Sequence, residues 1–297
     1  MLNIDLNKLS TEKRNELTME LDSMSSIEFL SLMNKEDQQV PLAVEKELES
    51  ISQATEMIID ALNKGGRLIY LGAGTSGRLG VLDAVECSPT FQTTTEVMGL
   101  IAGGDSAFVK AKEGAEDSED EGANDILNHD VNSNDVVVGI AASGRTPYVI
   151  GALKKARSLN ARTVAVACNK NSLIGNYADI KIEVEVGPEV LTGSTRLKAG
   201  TAQKLVLNML STASMVGIGK TYKNLMVDLK PSNLKLVERA KKIIMEATGC
   251  PYEIAEEKFI ESGQSSKIAI VMILTGLNRE EALHKLEKNN GFIKKSI

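Results

Sequence analysis

The stretch Arg67-Leu68-Ile69-Tyr70-Leu71-Gly72-Ala73-Gly74-Thr75-Ser76-Gly77-Arg78 opens on a short apolar run and closes on glycines and hydroxyl residues. A run this short, apolar on successive residues and bounded by Gly, reads as a strand buried on both faces. Arg78–Cys87 then reads as a helix, so the chain passes from strand to helix through a glycine-rich turn. Four further apolar runs repeat the pattern, at Glu96–Ile101, Asp135–Ala141, Arg162–Ala167 and Ile180–Val186, with helical stretches between most of them. Strands alternating with helices predict an α/β fold whose parallel sheet is covered on both faces. Ligands of such sheets bind beyond the carboxyl ends of the strands, which directs attention to the loops that follow them.

Outward from this centre the chain is helical. Residues 1–63 read as helices, with Thr11 and Ser26 as N-caps. Leu42–Leu62 reads as one helix, apolar at Val44, Leu48, Ile51, Ala54, Ile58 and Leu62, and stopped by Gly65-Gly66. Downstream, Ala199–Val216 reads as a long helix, and Pro231-Ser232-Asn233 breaks the pattern. Leu234–Ala247, Tyr252–Ser262, Ser266–Leu274 and Arg279–Lys288 then predict a small bundle of three or four helices.

Composition narrows the function. The 297 residues carry 40 Asp+Glu against 34 Lys+Arg, a net charge of −6, where a nucleic-acid partner would demand clustered cations. No window approaches about 18 consecutive apolar residues, so no membrane span is expected. Met1–Leu17 lacks the pattern of a signal peptide, which makes the cytoplasm the expected compartment. Cys87, Cys168 and Cys250 are widely spaced, and His129 and His284 stand alone, so neither a metal nor a histidine triad is indicated. Chemistry here is expected to run on carboxylates, hydroxyls and backbone amides.

Three strand-following loops supply such groups. In the first, Gly74-Thr75-Ser76-Gly77 precedes a helix, where glycines let the backbone approach an anion and unpaired N–H groups face it. It has neither the G-x-G-x-x-G spacing of dinucleotide loops nor the Lys of a Walker loop. The second is Ser143-Gly144-Arg145-Thr146-Pro147; Thr146 and Pro147 read as N-cap and first helical residue, which leaves Ser143, Gly144 and Arg145 unexplained by structure. The third is Thr192-Gly193-Ser194-Thr195-Arg196, ahead of Lys198 and the long helix.

This combination resembles the sugar isomerase (SIS) family of phosphosugar-binding domains over roughly residues 55–220. Within it, Leu68–Thr90, Gly99–Ser118, Val136–Leu153, Thr192–Thr212 and Asn224–Leu229 are similar to the bacterial N-acetylmuramic acid 6-phosphate etherases, and the similarity runs through nearly the whole chain. The resemblance implies a flavodoxin-like SIS domain at 55–220, an N-terminal helical segment at 1–54 and a ubiquitin-associated-like helical bundle at 221–297. It implies cleavage of the D-lactyl ether of a phosphorylated amino sugar, with no cofactor or metal. The products would be N-acetylglucosamine 6-phosphate and D-lactate, formed by elimination and addition of water during cell-wall sugar recycling. Glu86 and Glu116 match the family's two acid/base positions, in Asp83-Ala84-Val85-Glu86 and Gly114-Ala115-Glu116-Asp117. Gly74, Thr75, Ser76, Gly77, Ser143, Gly144, Arg145, Thr146, Ser194, Thr195, Arg196 and Lys198 become the expected phosphate and substrate contacts. Val81, Leu82 and Val85 are expected to give Glu86 the apolar surroundings that keep a carboxylic acid protonated.

Plainer readings stand beside these. Glu116 lies in the acidic run 113–121, and such runs are ordinarily solvated surface. A phosphosugar isomerase or deaminase, or a phosphosugar sensor without turnover, would use the same loops. One spacing bears on assembly: Glu86 lies ten residues beyond Ser76, about 15 Å along a continuous helix. That exceeds the distance from the phosphorus to C2 and C3 of a hexose 6-phosphate. Either the helix bends sharply, which Gly80 would ease but no Pro before Glu86 forces, or Glu86 comes from a neighbouring chain. The second alternative, a two-fold homodimer with a shared active site, is expected.

Overall fold

A computed structural model describes residues 9–110 and 112–297. The chain divides into two compact units, Met1–Ala84 with Glu96–Leu210, and Val85–Thr95 with Ser211–Ile297. The N-terminal helices therefore belong to the same unit as the sheet.

The first unit opens with three short 3-10 turns, Ser10–Glu12, Glu16–Thr18 and Leu21–Ser23, then α1 (Ser26–Asp37), α2 (Gln39–Glu45) and α3 (Leu48–Asn63). Ser25 rather than Ser26 caps α1. Only Ser25 has a glutamate three residues on, and Glu28 returns a bond to Ser25 N at 2.8 Å, closing a capping box. Thr11 is no helix cap either; it is buried within the first turn, where its Oγ1 accepts from Asn169 Nδ2 at 3.0 Å. The single helix expected over Leu42–Leu62 is broken at Lys46-Glu47. At the break the Glu47 carboxylate pairs with Lys170 and accepts from Glu183 N at 3.3 Å.

The sheet elements follow: β1 (Leu68–Gly72), α4 (Gly74–Phe91), β2 (Val97–Ile101), α5 (Ser106–Val109), a 3-10 turn at Ala115–Asp117, α6 (Glu119–Asn128), β3 (Val136–Ala141), α7 (Pro147–Ser158), β4 (Arg162–Ala167), a 3-10 turn at Ile174–Tyr177, β5 (Ile180–Glu183) and α8 (Lys198–Gly217). The strands lie in the order β2-β1-β3-β4-β5, all parallel, which is the flavodoxin-like order. Every residue of β1 and β3 is buried, which explains why both runs are apolar without alternation. Ile69, Leu71 and Val137 pack with Tyr148, Val149 and Leu153 of α7 in the main core. β5 stops at Glu183 rather than Val186. Its neighbour β4 ends at Ala167, whose carbonyl accepts the last bond between the two, from Val184 N at 2.9 Å.

α4 can lie directly on the sheet because its first turns carry no side chains at the contact. A Cβ at Gly77 would stand 2.5 Å from Gly72 O, and one at Gly80 would stand 2.9 Å from Tyr70 Cβ. This close seating points the start of α4 along the carboxyl end of β1.

The second unit holds α9 (Leu234–Thr248), α10 (Tyr252–Glu261), α11 (Ser266–Thr275) and α12 (Arg279–Lys288), in agreement with the expected bundle to within a residue. Ile244, Ala255, Phe259, Ile270 and Leu286 meet in its core. Asn233, Ser265 and Asn278 accept from backbone amides at three of the four N-termini. Among the described residues no helix is long and apolar enough to cross a membrane.

Candidate active site

In a sheet of order 2-1-3-4-5 the strand direction of the winding reverses between β1 and β3, and the crevice for a ligand opens beyond their carboxyl ends. The loops on either side of that point are Ala73–Ser76 and Ala142–Thr146. Gly74 has φ +54°, with open space where a Cβ would be, so its backbone is approachable. Thr75 is half-buried, and Ser76 is buried with Oγ donating to Gln203 Oε1 at 3.0 Å. In the second loop Ser143 Oγ accepts from Arg145 N at 3.2 Å. Gly144 takes φ +71°, and a Cβ there would stand 2.4 Å from Ser172 Cβ, so the loop needs glycine twice over. Arg145 Nε is buried without a partner among the described residues. Thr146 and Pro147 do start α7 as the sequence indicates, although the Thr146 side chain makes no capping bond.

Glu116 connects these loops. Its 3-10 turn walls a cleft of about 440 Å³ together with Ala73 and Gly74 of the first loop, Arg78 and Lys112. On its other side Glu116 and Asp117 wall a smaller cleft of about 170 Å³ with Ser143, Arg145 and Thr146 of the second loop. Leu9 and Glu12 close that smaller cleft, held there by Asn169, whose Oδ1 accepts from Ser10 N at 2.7 Å and whose Nδ2 donates to Ala142 O at 3.1 Å. Glu116 is exposed, as its acidic run suggests, and it also faces both loops.

The third loop reaches the first through α8. A Cβ at Gly200 would stand 3.6 Å from both Thr75 Cγ2 and Thr195 O. Ser194 and Thr195 are half-buried and Arg196 is exposed. The start of α8 itself is occupied: the buried Glu189 carboxylate accepts from Lys198 N and Ala199 N, each at 2.9 Å. Burial pushes the Glu189 pKa above the ordinary glutamate value, and those two amides and the Lys198 charge oppose the shift. The Lys198 ammonium, expected among the phosphate contacts, instead meets Glu36 Oε2 at 2.6 Å, with its side chain 3% exposed. Its position is a correction to the sequence reading. The lysine side chain and the helix start are both committed inside the protein.

Arg78 and Lys112 were not singled out by sequence. Arg78 Nε and Nη2 donate to Phe108 O and Ala107 O, both at 2.8 Å, and Lys112 Nζ donates to Gly103 O at 2.5 Å. Arg78 directly follows the first loop, which was the available signal. Lys112 lies in irregular chain and had none.

Glu86 stands on α4, which runs unbroken from Gly74 to Phe91. It is exposed, and its carbonyl accepts from Thr90 Oγ1 at 2.8 Å. The apolar enclosure expected from its neighbours is not built by its own helix: Leu82 is 47% exposed and Val85 is 61% exposed. Cys87 and Cys168 are buried, and burial pushes the Cys168 thiol pKa up, away from reactivity. His129 Nδ1 donates to Asp125 O at 2.8 Å, at the end of α6, and His284 is exposed on α12.

The parallel sheet with glycine- and hydroxyl-rich loops at its switch point is a flavodoxin-like arrangement, and the sequence matches make it a SIS domain. Residues 50–157 match the glucokinase regulatory protein N-terminal SIS domain and residues 110–213 match the SIS domain. The same fold recurs in the phosphoheptose isomerases of Francisella tularensis (17% identity, TM-score 0.51, covering 65% of this chain and 100% of that one) and Neisseria gonorrhoeae (20%, 0.50, 64% and 98%). Over 99% of its length the chain is 61% identical to N-acetylmuramic acid 6-phosphate etherase 2 of Enterococcus faecalis and 60% identical to that of Lactiplantibacillus plantarum, covering 100% of each. A Bacillus cereus etherase is 59% identical over 98% of the chain. The chain belongs to the N-acetylmuramic acid 6-phosphate etherase family.

Proposed function

We propose that this protein cleaves the D-lactyl ether of N-acetylmuramic acid 6-phosphate, giving N-acetylglucosamine 6-phosphate and D-lactate, in cell-wall amino-sugar recycling. The observation that carries the reading is the Glu116 turn, which walls one cleft with the loop after β1 and another with the loop after β3. An acid/base group beside anion-type loops is what the reaction needs. The aldehyde of the open-chain sugar acidifies the C2 proton, and a carboxylate removes it. Electrons then move into the C2–C3 bond, the C3–O bond breaks, and a carboxylic acid protonates the departing lactate oxygen. Water adds at C3 of the unsaturated aldehyde and a proton returns to C2, so the net change is consumption of one water. Glu86 and Glu116 share the proton transfers. The Gly74–Gly77, Ser143–Thr146 and Ser194–Arg196 loops hold the phosphate and sugar.

Glu86 reaches the reaction from a second copy of the chain. Along the continuous α4 it lies about 15 Å beyond Ser76. C2 and C3 lie nearer the phosphorus than that, and the exposed Leu82 and Val85 beside Glu86 give a neighbouring subunit an apolar surface to cover. A sugar phosphate carries charge that does not cross a bilayer unaided, so the enzyme works where its substrate is made, in the cytoplasm.

Incubation with N-acetylmuramic acid 6-phosphate should release D-lactate, and solvent deuterium should enter C2 of the product. Substrate lacking the 6-phosphate should react very poorly. Glu86→Ala and Glu116→Ala should each lower turnover by about 10²–10⁴-fold in folded protein. Binding without D-lactate release would favour a sensor, and C1–C2 isomerisation of the sugar phosphate would favour an isomerase.

A further inference from the structure

α8 lays one face along the loop after β1. Gly200, Gln203 and Leu207 succeed one another on that face at spacings of three and four. Gly200 abuts Thr75, Gln203 Oε1 accepts the Ser76 hydroxyl proton at 3.0 Å, and Leu207 O accepts from Tyr70 OH at 3.3 Å. Gln203 is 1% exposed, Ser76 is 7% exposed, and Gln203 Nε2 has no hydrogen-bond partner among the described residues. A buried amide donor without an acceptor is destabilising, so among the described residues this amide is held by Ser76 alone and nothing else fixes which way round it sits.

A serine hydroxyl has one proton to give. While it points at Gln203 Oε1, Ser76 offers only lone pairs to a group held at the start of α4, and lone pairs repel a phosphoryl oxygen. A half-turn of the Gln203 amide about its last torsion exchanges Oε1 and Nε2 with little change of shape. Nε2 then donates to Ser76 Oγ, the position that lacked an acceptor holds the carbonyl oxygen, and the Ser76 proton turns outward.

We propose that Gln203 is a positioning residue for the phosphate site, whose amide turns over when the phosphoryl group arrives and so converts Ser76 from an inward donor to a donor to the phosphoryl oxygen. The proposal rests on reading the loop after β1 as the phosphate anchor. It explains why the loop buries a hydroxyl against a glutamine with a spare donor.

Substitutions that differ in what they do to the Ser76 proton test it. Gln203→Glu presents a carboxylate, which accepts only and holds the proton inward; Gln203→Met lets it go. In the full chain, Gln203→Glu should raise KM for N-acetylmuramic acid 6-phosphate and the inhibition constant of inorganic phosphate by about 10-fold or more, with kcat changed less. Gln203→Met should shift both by no more than about threefold. In a Ser76→Ala background Gln203→Glu should add nothing, because the proton it captures is gone. An equal effect of Gln203→Glu in both backgrounds would mean plain charge repulsion and would overturn the proposal, as would no effect in either. An unchanged KM in Ser76→Ala alone would instead overturn the anchor reading. A second measurement does not depend on any Gln203 variant folding: inorganic phosphate should shift the Gln203 side-chain amide resonances in the wild-type chain and leave them in place in Ser76→Ala. Resonances that stay in place in a wild type saturated with phosphate would also overturn the turnover of the amide.

Discussion

Asp135 accepts four hydrogen bonds, from Arg67 N at 2.9 Å, Arg67 Nε at 3.1 Å, Arg67 Nη2 at 2.7 Å and Asn132 N at 3.0 Å. Its side chain is 1% exposed, and the bond raises the Arg67 pKa further above its ordinary value. The pair fastens the amino ends of β1 and β3, the ends away from the ligand loops. Asp135→Ala would leave the guanidinium with only the Asp130 carbonyl and orphan two backbone amides, a loss of about 3–5 kcal/mol. Urea unfolding should show that loss, while the protein that remains folded should release D-lactate with an unchanged KM. At this same scale the sequence carried the chemistry unevenly. Glu116 could be read both as solvated surface and as a site carboxylate, and it is exposed and yet walls both clefts. Lys198 shows the limit of such reading. A lysine after a Ser/Thr loop suggests an anion contact, and only the placement of Glu36, far away in sequence, shows where its charge is spent.

Among the elements, strands and helices were legible because burial on both faces and helical spacing leave patterns in neighbouring residues. What joins elements leaves no such pattern. Glu189 is one case, a lone acid in a loop that caps α8 through Lys198 N and Ala199 N. Burial raises its pKa, so the folded protein holds the proton more tightly than the unfolded chain. The stability Glu189 contributes is therefore greatest at low pH and declines as pH rises from about 4 through the raised value. Asp37, Glu36 and Lys198 belong to the same neighbourhood, and burial raises the Asp37 pKa in the same direction. Compared across pH by thermal unfolding, wild type should lose ground to Glu189→Gln as pH increases. The reverse trend would mean that the two amides outweigh burial. The crossing of α6 and α7 is a second case. A Cβ at Gly151 would stand 1.9 Å from Glu119 O, and one at Gly122 would stand 1.9 Å from Tyr148 O. Gly151→Ala must push α6 outward, at a cost of about 1–3 kcal/mol. Because α6 begins three residues after Glu116, kcat should fall with the melting temperature, whereas Asp135→Ala should move stability alone.

At the scale of the whole molecule, the alternation of strands and helices foretold a parallel sheet, but the grouping of Val85–Thr95 with the C-terminal helices had no signature in sequence. The proposed assembly rests on a length. α4 is one helix from Gly74 to Phe91, and the ten residues from Ser76 to Glu86 correspond to about 15 Å of helical rise. Under the shared-site reading proposed above, a two-fold dimer would lend the loop after β1 the Glu86 of its neighbour. The consequence can be measured by mixing. Ser76→Ala and Glu86→Ala chains should each be poorly active alone. When co-refolded they should form heterodimers in which one of the two composite sites carries both substitutions and the other carries neither. With random pairing about half of the dimers are mixed and each has one intact site, so recovery should approach about a quarter of wild-type D-lactate release. The recovered activity should keep the wild-type KM, since the intact site is complete. Heterodimers confirmed by mass that release no more D-lactate than either parent would place both groups in one chain, and the shared site would have to be abandoned.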